Sequence, residues 1–216
     1  MDDSIARIES EKAAREQAVR DSIENAEKAQ ADSLKAENEK KQKILDQMLD
    51  ILANSKSRAK IKFNSTFPES LNEYIKTLSY FTTDYDKDNV PELWIMGGIG
   101  YVAECAPVEV YKLNHDGNVV KIDDFCMDGE FSLKNGVVYS VSMFGTSGDA
   151  PWSYDRYAIK GNKLITTTLD EGVDDPEDPE YKPMPRIQPV KKYPVTNTSH
   201  LRESFKFNNV NPENAK

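Results

Sequence analysis

The sequence predicts a mainly β, α+β fold: an antiparallel β meander preceded by a long N-terminal helix and a short capping helix. Three observations predict it. The first sixty residues contain no Gly, Pro or aromatic residue and are rich in Ala, Glu, Lys, Gln and Arg, which are strong helix formers. Beyond residue 80 the apolar period changes to two, the signature of half-buried strands. Turn dipeptides then recur at Asp116-Gly117, Asp128-Gly129, Asn135-Gly136 and Gly161-Asn162, each able to supply the positive φ of a tight hairpin.

The helix carries a thin apolar stripe. Asp3-Ser4-Ile5, Asp21-Ser22-Ile23 and Asp32-Ser33-Leu34 form a loose repeat whose offsets are close to whole helical turns, so Ile5, Ile23 and Leu34 share a face with Ile8, Val19 and Ala26. Written as heptads from Ile5, the seam includes Lys12, Arg15, Ser22 and Ser33, which is poor material for a coiled coil. A solvated or fraying tether and a weakly self-associating helix remain the two alternatives. Apolar density rises only at Ile44, Leu45, Met48, Leu49, Ile51 and Leu52, where the helix is expected to dock on a folded body.

Next comes a capping box, Thr66 to Glu69 with Pro68 inside the first turn, followed by Leu71, Tyr74, Ile75 and Leu78 at helical spacing. Strands are expected at 80–83, 90–96, 108–113, 119–125, 130–134, 137–144, 154–159 and 163–169. Residues 170–194 hold six of the eleven prolines, too many for a central strand. The segment from Val195 to Phe207 reads as one more strand or a short helix. The expected organisation is therefore a stalk or partly disordered tether (1–57), a β domain (58–170), an acidic Pro-rich loop (171–194) and a return segment with tail (195–216).

Charge excludes some functions. Twenty-eight Lys and Arg against thirty-seven Asp and Glu give a net charge of -9, which leaves no basic footprint for nucleic acid or an anionic bilayer. The longest apolar stretch, Leu93 to Ala103, is eleven residues with three glycines, short of the roughly 18–20 that span a membrane.

The chemistry concentrates in residues 84–92, DYDKDNVPE. Alternate residues of a tightly curved loop aim their carboxylates at one centre, and hard cations such as calcium take six to eight oxygens. Asp84, Asp86 and Asp88 are the expected ligands, with the backbone carbonyl of Val90 and with Glu92, direct or through water. The sixth position needs positive φ and holds Asn89, the most tolerant residue after Gly. Position twelve is Ile95 instead of the bidentate Glu of a helix-loop-helix hand, so the loop belongs between strands. The competing reading is a solvated Asp-rich turn.

Residues Thr83 to Trp94 are similar to the strand-loop-strand DxDxDGxxE calcium loops of FG-GAP repeats and of uncharacterised exported bacterial proteins, with Asn89 in place of the usual Gly. Runs such as DSIARIE, AAREQAVRDSIENAE and ADSLKAE resemble the tether that follows the lipid-attachment cysteine of Bacteroidales-type lipoproteins. The resemblance implies an exported periplasmic or outer-membrane-anchored protein, with a lipid anchor upstream of the given chain. The chain itself contains no signal h-region or lipobox cysteine.

Other residues carry less. Cys105 and Cys126 either bridge, given an oxidising compartment, or remain thiols. His115 beside Asp116-Gly117 reads as a hairpin tip, and Ser147 in GTSGD does not fit the G-x-S-x-G of a nucleophile elbow. Gly98, Gly100 and Ala103 mimic a dinucleotide motif, but Pro107 leaves no room for its helix. Trp94, Trp152, Tyr154 and Tyr157 read as core before aromatic platform. The acids of 170–180 lack regular ligand spacing. The expectation is thus a non-catalytic, calcium-stabilised envelope domain that binds or assembles with an unknown protein or glycan. The alternative is an envelope enzyme or enzyme inhibitor using Asp124, Asp149 or Asp155 in a cleft lined by Trp152.

Overall fold

The computed structural model describes residues 2–57, 77–97, 106–127, 129–143 and 151–207. Helix α1 runs Asp2–Ala53, as the uninterrupted helix-forming composition requires. The described residues divide into a unit formed by this helix up to Gln42 and a unit Lys43–Lys206. Within the first unit, i,i+4 contacts such as Gln17 to Asp21 (2.7 Å) and Arg7 to Glu11 (3.6 Å) lace a solvated surface. Val19 and Ile23 stay 59% and 54% exposed, so the thin stripe is not buried there. The capping box at 66–69 lies outside the described residues.

The second unit begins where apolar density rises. Ile44, Leu45, Met48 and Leu52 are all buried, and Gln47 bonds the tip of a hairpin, donating to the Gly117 carbonyl (3.2 Å) and accepting from the Val119 N–H (2.8 Å). The strands are β1 (Ser79–Thr83), β2 (Glu92–Met96), β3 (Ala106–Leu113), β4 (Val119–Met127), β5 (Gly129–Lys134), β6 (Val137–Met143), β7 (Pro151–Lys160), β8 (Lys163–Val173) and β9 (Tyr193–Pro194). A short helix α2 follows at Ser199–Ser204, so the return segment supplies a helix, while the two-residue β9 falls at the end of the Pro-rich segment before it.

The strands form two antiparallel sheets, ordered β4-β3-β2-β1-β9 and β5-β6-β7-β8. The expected meander is therefore divided, and the division falls between Met127, the end of β4, and Gly129, the start of β5. Gly129 pairs with Ser142 of the second sheet. A Cβ there would lie 2.0 Å from the Val141 carbonyl oxygen, so only glycine permits the close approach. The other turn dipeptides behave as hairpins: Asn135 and Gly136 both have positive φ (55° and 80°), and Gly117 and Gly161 stand at 79° and 58°.

The first sheet is covered on both faces. Tyr80, Leu93, Ile95 and Tyr111 pack with the end of α1 and with Leu201 and Phe205. Their sequence neighbours Phe81, Trp94, Met96 and Val110 point the other way, into a core shared with Phe131, Val138, Tyr157 and Ile159 of the second sheet. This makes a helix, sheet, sheet layering, and it explains why β2 is buried at every position. Trp94 is ringed by Phe81, Phe131 and Tyr157 at centroid distances of 5.5–5.8 Å. Trp94, Trp152 and Tyr157 are thus core residues, while Tyr154 stacks on Tyr139.

Candidate metal centre

The loop between β1 and β2 is shaped by its own backbone. Lys87 and Asn89 both have positive φ (60° and 62°), so the sixth position adopts the left-handed conformation that its Asn tolerates, and the fourth position adopts it as well. Val90 donates its N–H to Asp88 Oδ1 at 2.8 Å, a local turn of the kind Asp favours. The tip of the β5–β6 hairpin buttresses the loop: a Cβ on Gly136 would stand 3.1 Å from the Asp84 carbonyl oxygen.

This curvature brings Asp84, Asp86 and Asp88 together, one carboxylate oxygen of each lying within 4.8 Å of the others. It is a donor set able to hold a metal ion. Asp84 Oδ1 is buried and has no hydrogen-bond partner among the described residues, an arrangement that costs free energy unless a cation or donor completes it. The residues present therefore fit a hard cation.

Glu92 lies deeper than the three aspartates. It is 1% exposed, and its Oε2 accepts from the Thr83 hydroxyl (2.8 Å) and the Tyr85 N–H (2.9 Å). Trp94 Nε1 donates in turn to Thr83 Oγ1 at 3.2 Å. Glu92 is outside the triad and pins the start of the loop to the core, with Oε1 3.9 Å from the Lys112 ammonium. Val90 offers its N–H to Asp88, and its side chain packs on the helix-facing core.

Lys112, on β3, is the residue that sequence reasoning missed. Its Nζ lies 2.7 Å from Asp86 Oδ2, a contact across 26 positions that no local pattern announces. Burial and the neighbouring acids set the protonation behaviour. Burial pushes the Glu92 carboxyl up to about 7. Burial, then the charges of Asp86 and Asp84, raise Asp88 against the opposing Val90 N–H. Burial acts on Asp86 too, but the bond and charge of Lys112 outweigh it and hold that carboxyl below the usual range. Asp88, raised by burial and by its acidic neighbours, is the member of the triad that would gain most from a cation beside it.

Among the described residues the remaining candidates are not gathered into a site. Asp124 lies on β4 beside Lys121, whereas Asp155 is buried on β7 with its oxygens taken by Ser153 and Thr168, both at 2.7 Å. Trp152 is buried and donates to the Lys182 carbonyl; Asp149, Ser147, Gly98, Gly100 and Ala103 lie outside the described residues. The acids of 170–180 form no metal-like group among the described residues. His115 is exposed at its hairpin tip beside Asp116, and His200 stacks on Tyr193 at 3.9 Å. Cys126 is disulfide-bonded; the sequence holds one other cysteine, Cys105, outside the described residues. Among the described residues no helix is long and apolar enough to cross a membrane.

No protein-family model, curated protein or solved structure matches this chain.

Proposed function

We propose that the chain is a non-catalytic, calcium-stabilised domain of the cell envelope, carried on a helical stalk and acting in binding or assembly with a protein or glycan. The observation that carries this reading is the convergence of Asp84, Asp86 and Asp88, with a buried oxygen of Asp84 left unpartnered. An all-oxygen, acidic donor set suits calcium better than zinc, which prefers nitrogen and sulfur. The ion acts as a staple between β1 and β2, since repelling carboxylates in one loop resist folding until a cation joins them. The disulfide at Cys126 supports export, because such bridges persist in oxidising compartments. There, calcium sites of roughly 10⁻⁴–10⁻³ M affinity are useful.

Thermal unfolding in calcium and in excess chelator, paired with calorimetric titration, tests the reading. Calcium at about 100 times its dissociation constant stabilises by about 2.7 kcal/mol, a rise of about 5–10 °C for a domain of this size. An unchanged midpoint with no heat of binding ends the metal claim. Fractionation of cells expressing the natural reading frame tests export separately, and recovery with the cytosol removes it.

A further inference from the structure

We infer that Lys112 is the built-in competitor for the loop's cation seat and sets its affinity, so that a divalent ion enters by exchange with the Lys112 ammonium; this rests on the metal reading above. The geometry is specific. Lys112 is delivered by β3, a strand remote from the loop in sequence, and its side chain is only 17% exposed. Its Nζ bonds Asp86 Oδ2 at 2.7 Å and stands 3.9 Å from Glu92 Oε1. One ammonium therefore faces a carboxylate of the triad and the carboxylate that anchors the loop.

An ammonium satisfies this cluster incompletely. It brings one positive charge to three converging aspartates, and Asp84 Oδ1 still lacks a donor. Calcium draws its oxygens to about 2.3–2.6 Å, so an ion held by Asp86 sits on the same carboxylate that Lys112 engages. Ion and ammonium would then stand within a few ångströms of each other, where like charges repel strongly. The lysine stem is flexible and its head is well hydrated, so the ammonium can leave for solvent. Charge balances in this exchange: two positive charges arrive, one departs, and the triad ends closer to neutrality. Until an ion comes, Lys112 prevents the aspartates from forcing the β1–β2 loop apart. The same contact lowers the site's affinity.

The test titrates calcium calorimetrically into the full chain as wild type, K112Q and K112R. K112Q is expected to bind about tenfold more tightly or better, as loss of a competing charge predicts, while K112R keeps its charge and does not gain. A second readout needs no variant: amine acylation of Lys112 in the wild type, followed by mass spectrometry, should rise when calcium is added. If the wild type binds calcium and K112Q binds no more tightly, the exchange idea falls and the metal reading stands. Acylation unchanged by saturating calcium overturns it equally. If neither wild type nor K112Q takes up calcium, both fall. Binding by K112Q alone supports both. Melting each variant in chelator identifies a folding defect, and in that event the acylation result decides.

Discussion

Two acidic segments of this chain end in different states. In the loop between β1 and β2, Asp84, Asp86 and Asp88 converge. In residues 170–180 seven acids crowd together in sequence and disperse in space. There Asp175 and Asp178 cap their own following backbone, accepting from Glu177 and Glu180 N–H at 2.9 and 2.7 Å, and Asp170 pairs with Lys182. The first segment has two left-handed residues, a buried anchor in Glu92 and a hairpin pressed on its back. Acid count does not make a cation seat; enforced convergence does.

The anchor is the most consequential place to break the difference. E92A leaves the Thr83 hydroxyl and the Tyr85 N–H without their acceptor in the core, and each orphaned donor costs about 1–3 kcal/mol. Urea unfolding should register a loss of about 2–4 kcal/mol, together with a loss of the calcium response.

Acidity probes the same group. Because the folded-state value of Glu92 is raised to about 7, the folded state holds its proton more tightly than the unfolded chain does. The contribution of Glu92 to metal-free stability is therefore greatest below the ordinary value near 4.5, falls as pH rises, and levels above about 7. The fall is of order 3 kcal/mol, and E92Q should flatten it when unfolding is followed against pH. Asp86, which is lowered, acts in the opposite sense: its contribution is present above the usual carboxylate range and is lost in more acidic solution.

Neutralising the triad should have the next largest effect. D84N and D88N are expected to erase most of the roughly 2.7 kcal/mol that calcium adds at about 100 times its dissociation constant, as read by the difference between melts in calcium and in chelator. The smallest effect sharpens the contrast. D174N, D175N and E177Q together should change chelator-state stability by no more than about 0.5 kcal/mol and leave the calcium shift intact. Loss of that shift would relocate the site to the Pro-rich segment.

The strand positions were legible because the period-two pattern and the Asn-Gly and Asp-Gly turns are local properties. The loop was legible for the same reason: Asn89 at φ 62° is a backbone preference of the residue itself. One reading needed correction. Asp128-Gly129 looks like every other Gly turn in the chain, and nothing local distinguishes a hairpin from a crossing between sheets; the Val141 carbonyl that forbids a side chain there is contributed by another strand. Glu92 has ligand spacing in sequence, and what the sequence did not show is that the Thr83 hydroxyl and the Tyr85 N–H hold its Oε2 in the core.

Composition and spacing alone determined the long helix, the strands, the turns and the three aspartates of one bend, because each depends on the conformational preferences of adjacent residues. Only the tertiary structure decided that the strands separate into two sheets, that Glu92 is an anchor, and that Lys112 reaches Asp86. These outcomes depend on which distant surfaces pack together, since burial and charge pairing act between groups that the chain keeps far apart until it folds.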